Sequence, residues 1–175
     1  MTLPNHLLGG LVFTGVFGAT ISGINLLASP WYIATTLLAA VLPDIDNTNS
    51  PIGRLSGPLG YWINRRYGHR TITHSAFALI VLTLVFAFCE RAINGHLANT
   101  WFFFWGYLSH IVLDMLTVQG VKLFYPFRKS SAVIPGDYRY RFETGNLRHE
   151  TLFFCVSMLC FVFLQPLFRN GFWTS

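Results

Sequence analysis

Charge is what this sequence has least of. Only 11% of its 175 residues are Asp, Glu, Lys or Arg, and seven of them are acids, where a soluble domain carries about 25% charged residues. So few polar side chains cannot cover the core of a domain this long, which excludes an ordinary water-soluble enzyme or binding module. Cysteine is scarce as well. Cys89, Cys155 and Cys160 fall inside apolar runs, with no C-x-x-C or Cys-His spacing. That excludes a disulfide framework or a thiolate zinc site and leaves them as small core hydrophobes. No basic stretch or small-residue cleavage site opens the chain, so no removable signal peptide is expected. Internal repeats and low-complexity tracts are also missing.

Hydrophobic residues make up 53% of the chain and aromatics 17%, gathered into blocks of the kind lipid selects. The first block runs from about Leu7 to Leu27, with Gly10, Thr14, Gly18 and Ser22 recurring every fourth residue. That spacing lines one helix face with small residues, where a second helix can approach closely. Ser29-Pro30 breaks the chain. Trp31 to Leu42 follows, twelve residues or roughly 18 Å of helix, too short to cross about 30 Å of hydrocarbon. Further spans are predicted at Ile72 to Cys89, Thr100 to Val118 (closed by Gly120) and Thr151 to Phe168. Thr71 or Thr73 is placed to cap the first of these. The fold class is therefore all-α, an integral membrane helical bundle with about four spanning helices plus one short or tilted helix. The chain reads as a single integral domain, 1–175, with polar loops at about 43–71 and 121–149.

The net charge of +5 does not point to nucleic acid, because ten of the twelve bases sit in those two loops. Arg54, Arg65, Arg66 and Arg70 lie in the first, and Lys122, Arg128, Lys129, Arg139, Arg141 and Arg148 in the second; only Arg91 and Arg169 lie elsewhere. The positive-inside rule puts both loops, and with them the N-terminus, in the cytoplasm. Trp31, Trp101, Trp105 and Trp173 read as interfacial or packing residues, and Phe102–Phe104 as lipid-facing.

That orientation, drawn from Lys and Arg alone, puts a set of His and acid residues at one membrane level. His6 opens the first span, Asp44 and Asp46 follow the short helix, and His69 and His74 bracket the start of the next span. His110 and Asp114 lie near the inner end of another, and Glu150 starts the last. His110 and Asp114 are four residues apart and share a helix face. A carboxylate in an apolar helix is costly without a cation or donor. Imidazole with carboxylate suits zinc, manganese or iron, and Asp44 and Asp46, two apart, can face one ion or be split between two. Each residue also has a plain structural reading: a hydrogen-bonded pair for His110 and Asp114, turn formers for Asp44 and Asp46, interfacial side chains for His6 and His69, a headgroup anchor for Arg70. His96 and His149 read as solvent-facing loop residues.

Leu42-Pro43-Asp44-Ile45-Asp46, Gly68-His69-Arg70-Thr71-Ile72-Thr73-His74-Ser75 and Gly106-Tyr107-Leu108-Ser109-His110-Ile111-Val112-Leu113-Asp114 together resemble the YdjM-like family. These are bacterial inner-membrane proteins regarded as predicted membrane-bound, metal-dependent hydrolases, some of them under LexA control in the SOS response. Thr117, Gly120, Pro126-Phe127, Thr144-Gly145, Glu150 and His6 extend the likeness over about residues 1–155, while Asn47 stands where that family often has His. The resemblance implies a multi-pass protein of the bacterial inner membrane. Its expected ligands for a divalent metal, zinc first, are His6, Asp44, His69, His74, His110 and Asp114. Asp46 would bridge or act as base, Arg70 would hold substrate charge, and Glu150 would complete the catalytic set. The expected reaction is hydrolysis at the cytoplasmic face, on a phosphoester or lipid-like substrate. The alternatives are a non-enzymatic membrane protein with a structural or regulatory metal site, and a small metal or proton transporter. The expected partner is the lipid bilayer, with no nucleic acid; the oligomeric state stays open.

Overall fold

The computed structural model describes residues 1–166; Arg169, Trp173 and the end of the last predicted span, 167–168, lie outside the described residues. All regular elements among the described residues are helical. Helix α1 (Leu3–Phe13) continues through a π-helical stretch (Thr14–Ala19) into a single turn, α2 (Thr20–Ser22). A 3₁₀ turn (Leu26–Ala28) leads to the short helix α3 (Pro30–Val41). Ser29 caps α3 by accepting from the Trp31 amide, and Pro30 starts it, the position where a missing N–H costs nothing.

Residues 42–67, which the sequence reads as part of a polar loop, are largely helical. The 3₁₀ turn Leu42–Asp46 is followed by α4 (Pro51–Ser56) and α5 (Pro58–Tyr67). Pro51 and Pro58 each open a helix here, and Ser50 caps α4 through the Gly53 amide. The long helices follow: α6 (Ala76–Asn94), α7 (Ala98–Met115) and α8 (Leu147–Phe163). The cap of α6 is Ser75, accepting from the Ala78 amide, while Thr71 and Thr73 bond elsewhere. Helix α7 stops at Met115, short of Gly120. The stretch 116–146 is irregular and folds back over one end of the bundle. Backbone bonds pin it there, from Lys122 N to Arg70 O (3.2 Å) and from Ala76 N to Leu123 O (2.8 Å).

Helix α7 is the hub, packed against α3, α1 and α6, while α1 also packs on α8. Its close approach to α3 depends on Gly106, where a Cβ would lie 2.6 Å from the Thr36 carbonyl oxygen. Of the small-residue face on the first helix, Gly10 meets α3 at Ala40, but Gly18 meets Trp105 of α7. The face therefore serves two neighbours, not α3 alone. Phe102 and Phe103 are buried, because the hub helix has neighbours on several sides and little of it is left for lipid. Cys89 and Cys155 are exposed and Cys160 is half-buried, so they belong to the outer apolar surface and not to the core.

That outer surface is oily. Ile80, Leu84, Val85 and Phe88 on α6 and Leu152, Val156, Leu159 and Phe163 on α8 all stand exposed. The polar groups are inside: His6, His74, His110, Asp46, Asp114 and Arg70 are buried. Among the described residues one helix, Ala76–Asn94, is both long and apolar enough to cross a membrane by itself. The chain's first run is comparably long but broken by its π segment, and α3 is half-length.

Candidate metal centre

Four parts of the chain meet at one end of the bundle. The start of α1 brings His6, the turn after α3 brings Asp44 and Asp46, and the turn before α6 brings His69, Arg70 and His74. The last turns of α7 bring His110 and Asp114. Among the described residues two groups of side chains have donor atoms close enough to share an ion: Asp44, Asp46, His69 and His74, and beside them His6, His110 and Asp114.

The hydrogen bonds fix where the protons sit. Asp46 can only accept, so His69 donates Nδ1–H to its Oδ1 (2.7 Å), and the Arg70 amide (3.1 Å) and the Thr73 hydroxyl (2.6 Å) both donate to Oδ2. With its proton given to Asp46, Thr73 Oγ can only accept from His74 Nδ1, 3.0 Å away. The Ala40 carbonyl, freed by the end of α3, likewise accepts from His110 Nδ1 at 2.7 Å. Both imidazoles thus carry their Nδ1 protons outward and turn Nε2 toward each other, 3.1 Å apart. Two bare lone pairs at that distance repel; a proton or a metal cation has to lie between them.

The surroundings fit a cation. Asp44 Oδ1 lies 3.8 Å from each of these Nε2 atoms. Asp114 Oδ2 lies 3.5 Å from that of His74 and 3.8 Å from that of His110. Ligand atoms about 2.0–2.1 Å from a tetrahedral zinc stand about 3.3–3.4 Å from one another, inside the observed range of 3.1–3.8 Å. His6 stacks on His110 with ring centroids 3.7 Å apart. It is fully buried; its Nε2 lies 3.4 Å from Asp114 Oδ1, but neither nitrogen makes a hydrogen bond, which is costly unless something else meets them. The outward Nδ1 bonds to carbonyl and carboxylate-linked acceptors are the supports that metal-bound histidines use.

The charge balance shows what fills the role of a metal in its absence. Burial pushes the His74 imidazole down, but Asp114 and Asp46 outweigh burial and hold it up, to about 9. Burial likewise opposes the Asp46 charge, yet the His69 and His74 contacts keep its carboxyl well below the usual range. Arg70 forks onto Asp114, with Nη2 donating to Oδ1 and Nε beside Oδ2, both at 3.0 Å. The amine of Met1 lies 3.0 Å from the same Oδ1.

Of the residues singled out in the sequence, Glu150 stands apart from this cluster. It accepts from Asn5 Nδ2 and from both the amide and the hydroxyl of Thr2 (3.2 and 2.9 Å), clamping the start of the chain to α8. Arg70 is buried and engaged with Asp114 and Thr117. His149 is half-buried, and His96 is exposed beside Glu90. Sequence reasoning missed Thr73 as a proton relay, the Ala40 carbonyl and the Met1 amine. Thr73 carried a signal, since it sits in the same turn as His69 and His74; the other two are backbone groups and carry none.

The sequence profile of the YdjM inner membrane proteins matches residues 1–173. The inner membrane protein YdjM of Escherichia coli (strain K12) is 35% identical over 139 residues, which cover 73% of this chain and 67% of that one. The protein of the same name from Shigella flexneri gives the same figures, 35% over 139 residues. The uncharacterized protein YvsG of Bacillus subtilis (strain 168) is 30% identical over 129 residues, covering 72% and 74%. No solved structure matches.

Proposed function

Because the chain belongs to the family of YdjM inner membrane proteins, we propose that it is a multi-pass, single-domain metal-dependent hydrolase of the bacterial inner membrane. Its site would lie at the cytoplasmic face and act on a phosphoester of a lipid-like substrate. The observation that carries this reading is the pair of Nε2 atoms of His74 and His110 facing each other at 3.1 Å. His74, His110, Asp44 and Asp114 would hold a divalent ion, zinc first. His6 and His69 stand ready on either side as further donors, enough for a second ion. Such an ion supplies positive charge to polarise the scissile group and to acidify a water toward a pKa of about 7. Asp46 orients His69 directly and His74 through the Thr73 hydroxyl. Asp44, the least enclosed of the four donors at 13% exposure, marks the side from which substrate enters. Glu150 supports the site from outside by fixing the start of α1.

Arg70 favours a second reading. A guanidinium forked on both Asp114 oxygens already offsets that carboxylate's charge and encloses the site on that side, and a structural site is closed where a catalytic one keeps a position open. The two readings separate in one experiment. Detergent-purified protein is assayed for bound metal and for phosphate release from phosphatidic acid vesicles, before and after chelation. The expected result is at least one ion per chain, lost in His110→Gln, and phosphate release that chelation removes. Metal without hydrolysis would favour the structural reading; full activity in metal-free protein would sink the metal site altogether.

A further inference from the structure

Two hollows flank the turn that carries His69 and His74. On one side is a polar cleft of about 220 Å³ whose lining includes His69, Arg70, Gln119 and Lys122. On the other is an apolar groove of about 350 Å³ between α5 and α6. Leu59 and Ile63 form one wall of the groove, and Phe77 and Val81 the other, with Thr73 and Tyr107 also lining it. Thr73 is the residue whose hydroxyl donates to Asp46, so the groove reaches the metal centre. Its outer wall is α6, the one helix among the described residues long and apolar enough to cross a membrane alone. Phe77 and Val81 on that wall are 45% and 38% exposed, which leaves the groove open to the hydrocarbon.

We propose that this groove binds one hydrocarbon chain of a phosphate-bearing lipid, entering sideways from the bilayer, while its headgroup lies toward the polar cleft. The occupant follows from the surroundings. A groove that opens on lipid along a membrane helix is filled by what the bilayer offers. The cations gathered at the same end select an anionic head: Lys122 lines the cleft, and Arg65 and Arg66 stand exposed at the end of α5. A lipid held in both hollows lies across the turn that carries His69 and His74, which places its phosphoester beside His69, a residue of the cleft's own lining. The exposed Leu59, Tyr61 and Trp62 on α5 fit the same picture, since aromatic and basic residues together mark the headgroup level. The position given to the headgroup rests on the hydrolase reading above; the chain site does not.

The test is photolabelling of the full protein in zwitterionic vesicles doped with phosphatidic acid that carries a diazirine on one acyl chain. Labelled peptides are mapped by mass spectrometry. The labels are expected to concentrate on 59–63 and 77–82, and to be lost from both segments in Ala78→Phe, which fills the groove with apolar bulk while metal content is unchanged. Val81→Trp, further along α6, serves as a second filled variant. Labels spread evenly over the outer faces of α6 and α8, or groove labels that survive both substitutions, would overturn the proposal. The labels are read whether or not the protein holds metal, so failure of the hydrolase reading and failure of the groove give different results.

Discussion

At the scale of single residues, the site is organised by one relay. Asp46 takes the Thr73 proton, and Thr73 then takes that of His74. Thr73→Val keeps the shape but deprives a fully buried carboxylate of a donor, a loss of about 1–3 kcal/mol. A lower melting temperature and weaker metal retention are expected together; unchanged values in both would show that Thr73 only packs. Protonation gives a further test. In chelated protein, His74 has a folded pKa raised from 6.5 to about 9. Its contribution is fully present below 6.5 and is lost as pH rises through 9. Asp46 has the opposite sense, its folded pKa lowered from 3.8, so its contribution is lost as pH falls below 3.8. Chelated protein should therefore lose stability between pH 6.5 and 9 as His74 gives up its proton. Metal-loaded protein should hold or gain stability there, since ligation needs the deprotonated ring. Identical pH profiles with and without chelator would mean that the cation between the two imidazoles is only ever a proton. Asp114→Asn does not isolate metal binding, because it also removes the charge on which Arg70 is forked, and breaking a buried pair costs about 3–5 kcal/mol by itself.

At the scale of elements, the site depends on how closely α3 and α7 approach. The Ala40 carbonyl reaches His110 Nδ1 only because Gly106, one turn earlier, lets α3 come close. Gly106→Ala would put a methyl 2.6 Å from the Thr36 carbonyl oxygen and 3.1 Å from Ala39 Cβ. Backbone must then move, at about 1–3 kcal/mol, and the His110 ring loses its anchor. Melting temperature and metal content should fall together, and a variant with both intact would show that the bond to Ala40 is incidental. Sequence alone led to the short α3, because Ser29-Pro30 starts it and its length forbids a full crossing. The ligand-type residues were legible for a related reason: they sit at the ends of apolar runs, where motif and span boundary coincide. Helices α4 and α5 were not read as helices, since three prolines and several glycines in 43–71 look like a loop. Yet Ser50-Pro51 and Gly57-Pro58 are helix starts when the residues behind them have a surface to lie on. The link between Gly106 and Ala40 is between distant segments and leaves no periodic trace in either.

For the whole molecule, the distribution of polarity is the reverse of a soluble protein's. Large apolar side chains cover α6 and α8 while imidazoles, carboxylates and a guanidinium are buried at one end. A continuous exposed surface of that kind marks contact with lipid or a partner, which agrees with a family of inner membrane proteins. Which way the molecule faces is a separate matter, and basic residues decide it. Arg65, Arg66, Lys122, Arg128 and Lys129 all belong to connections at the end where the His and Asp side chains gather. The opposite end, at the α6–α7 connection, has Arg91 hydrogen-bonded to the Gly95 carbonyl and Glu90 buried, accepting from the Asn99 and Thr100 amides at the start of α7. The imbalance predicts that the metal centre faces the cytoplasm. Reporter fusions after Arg66 and after Phe127 should both be active only in a cytoplasmic readout, and a fusion near Asn94 only in a periplasmic one. Arg66 and Asn94 lie on either side of α6, the one helix among the described residues that is long and apolar enough to cross, so this pair tests that crossing directly. If both report the same side, α6 does not cross. If they report opposite sides with Arg66 outside, the crossing stands but the site faces the periplasm.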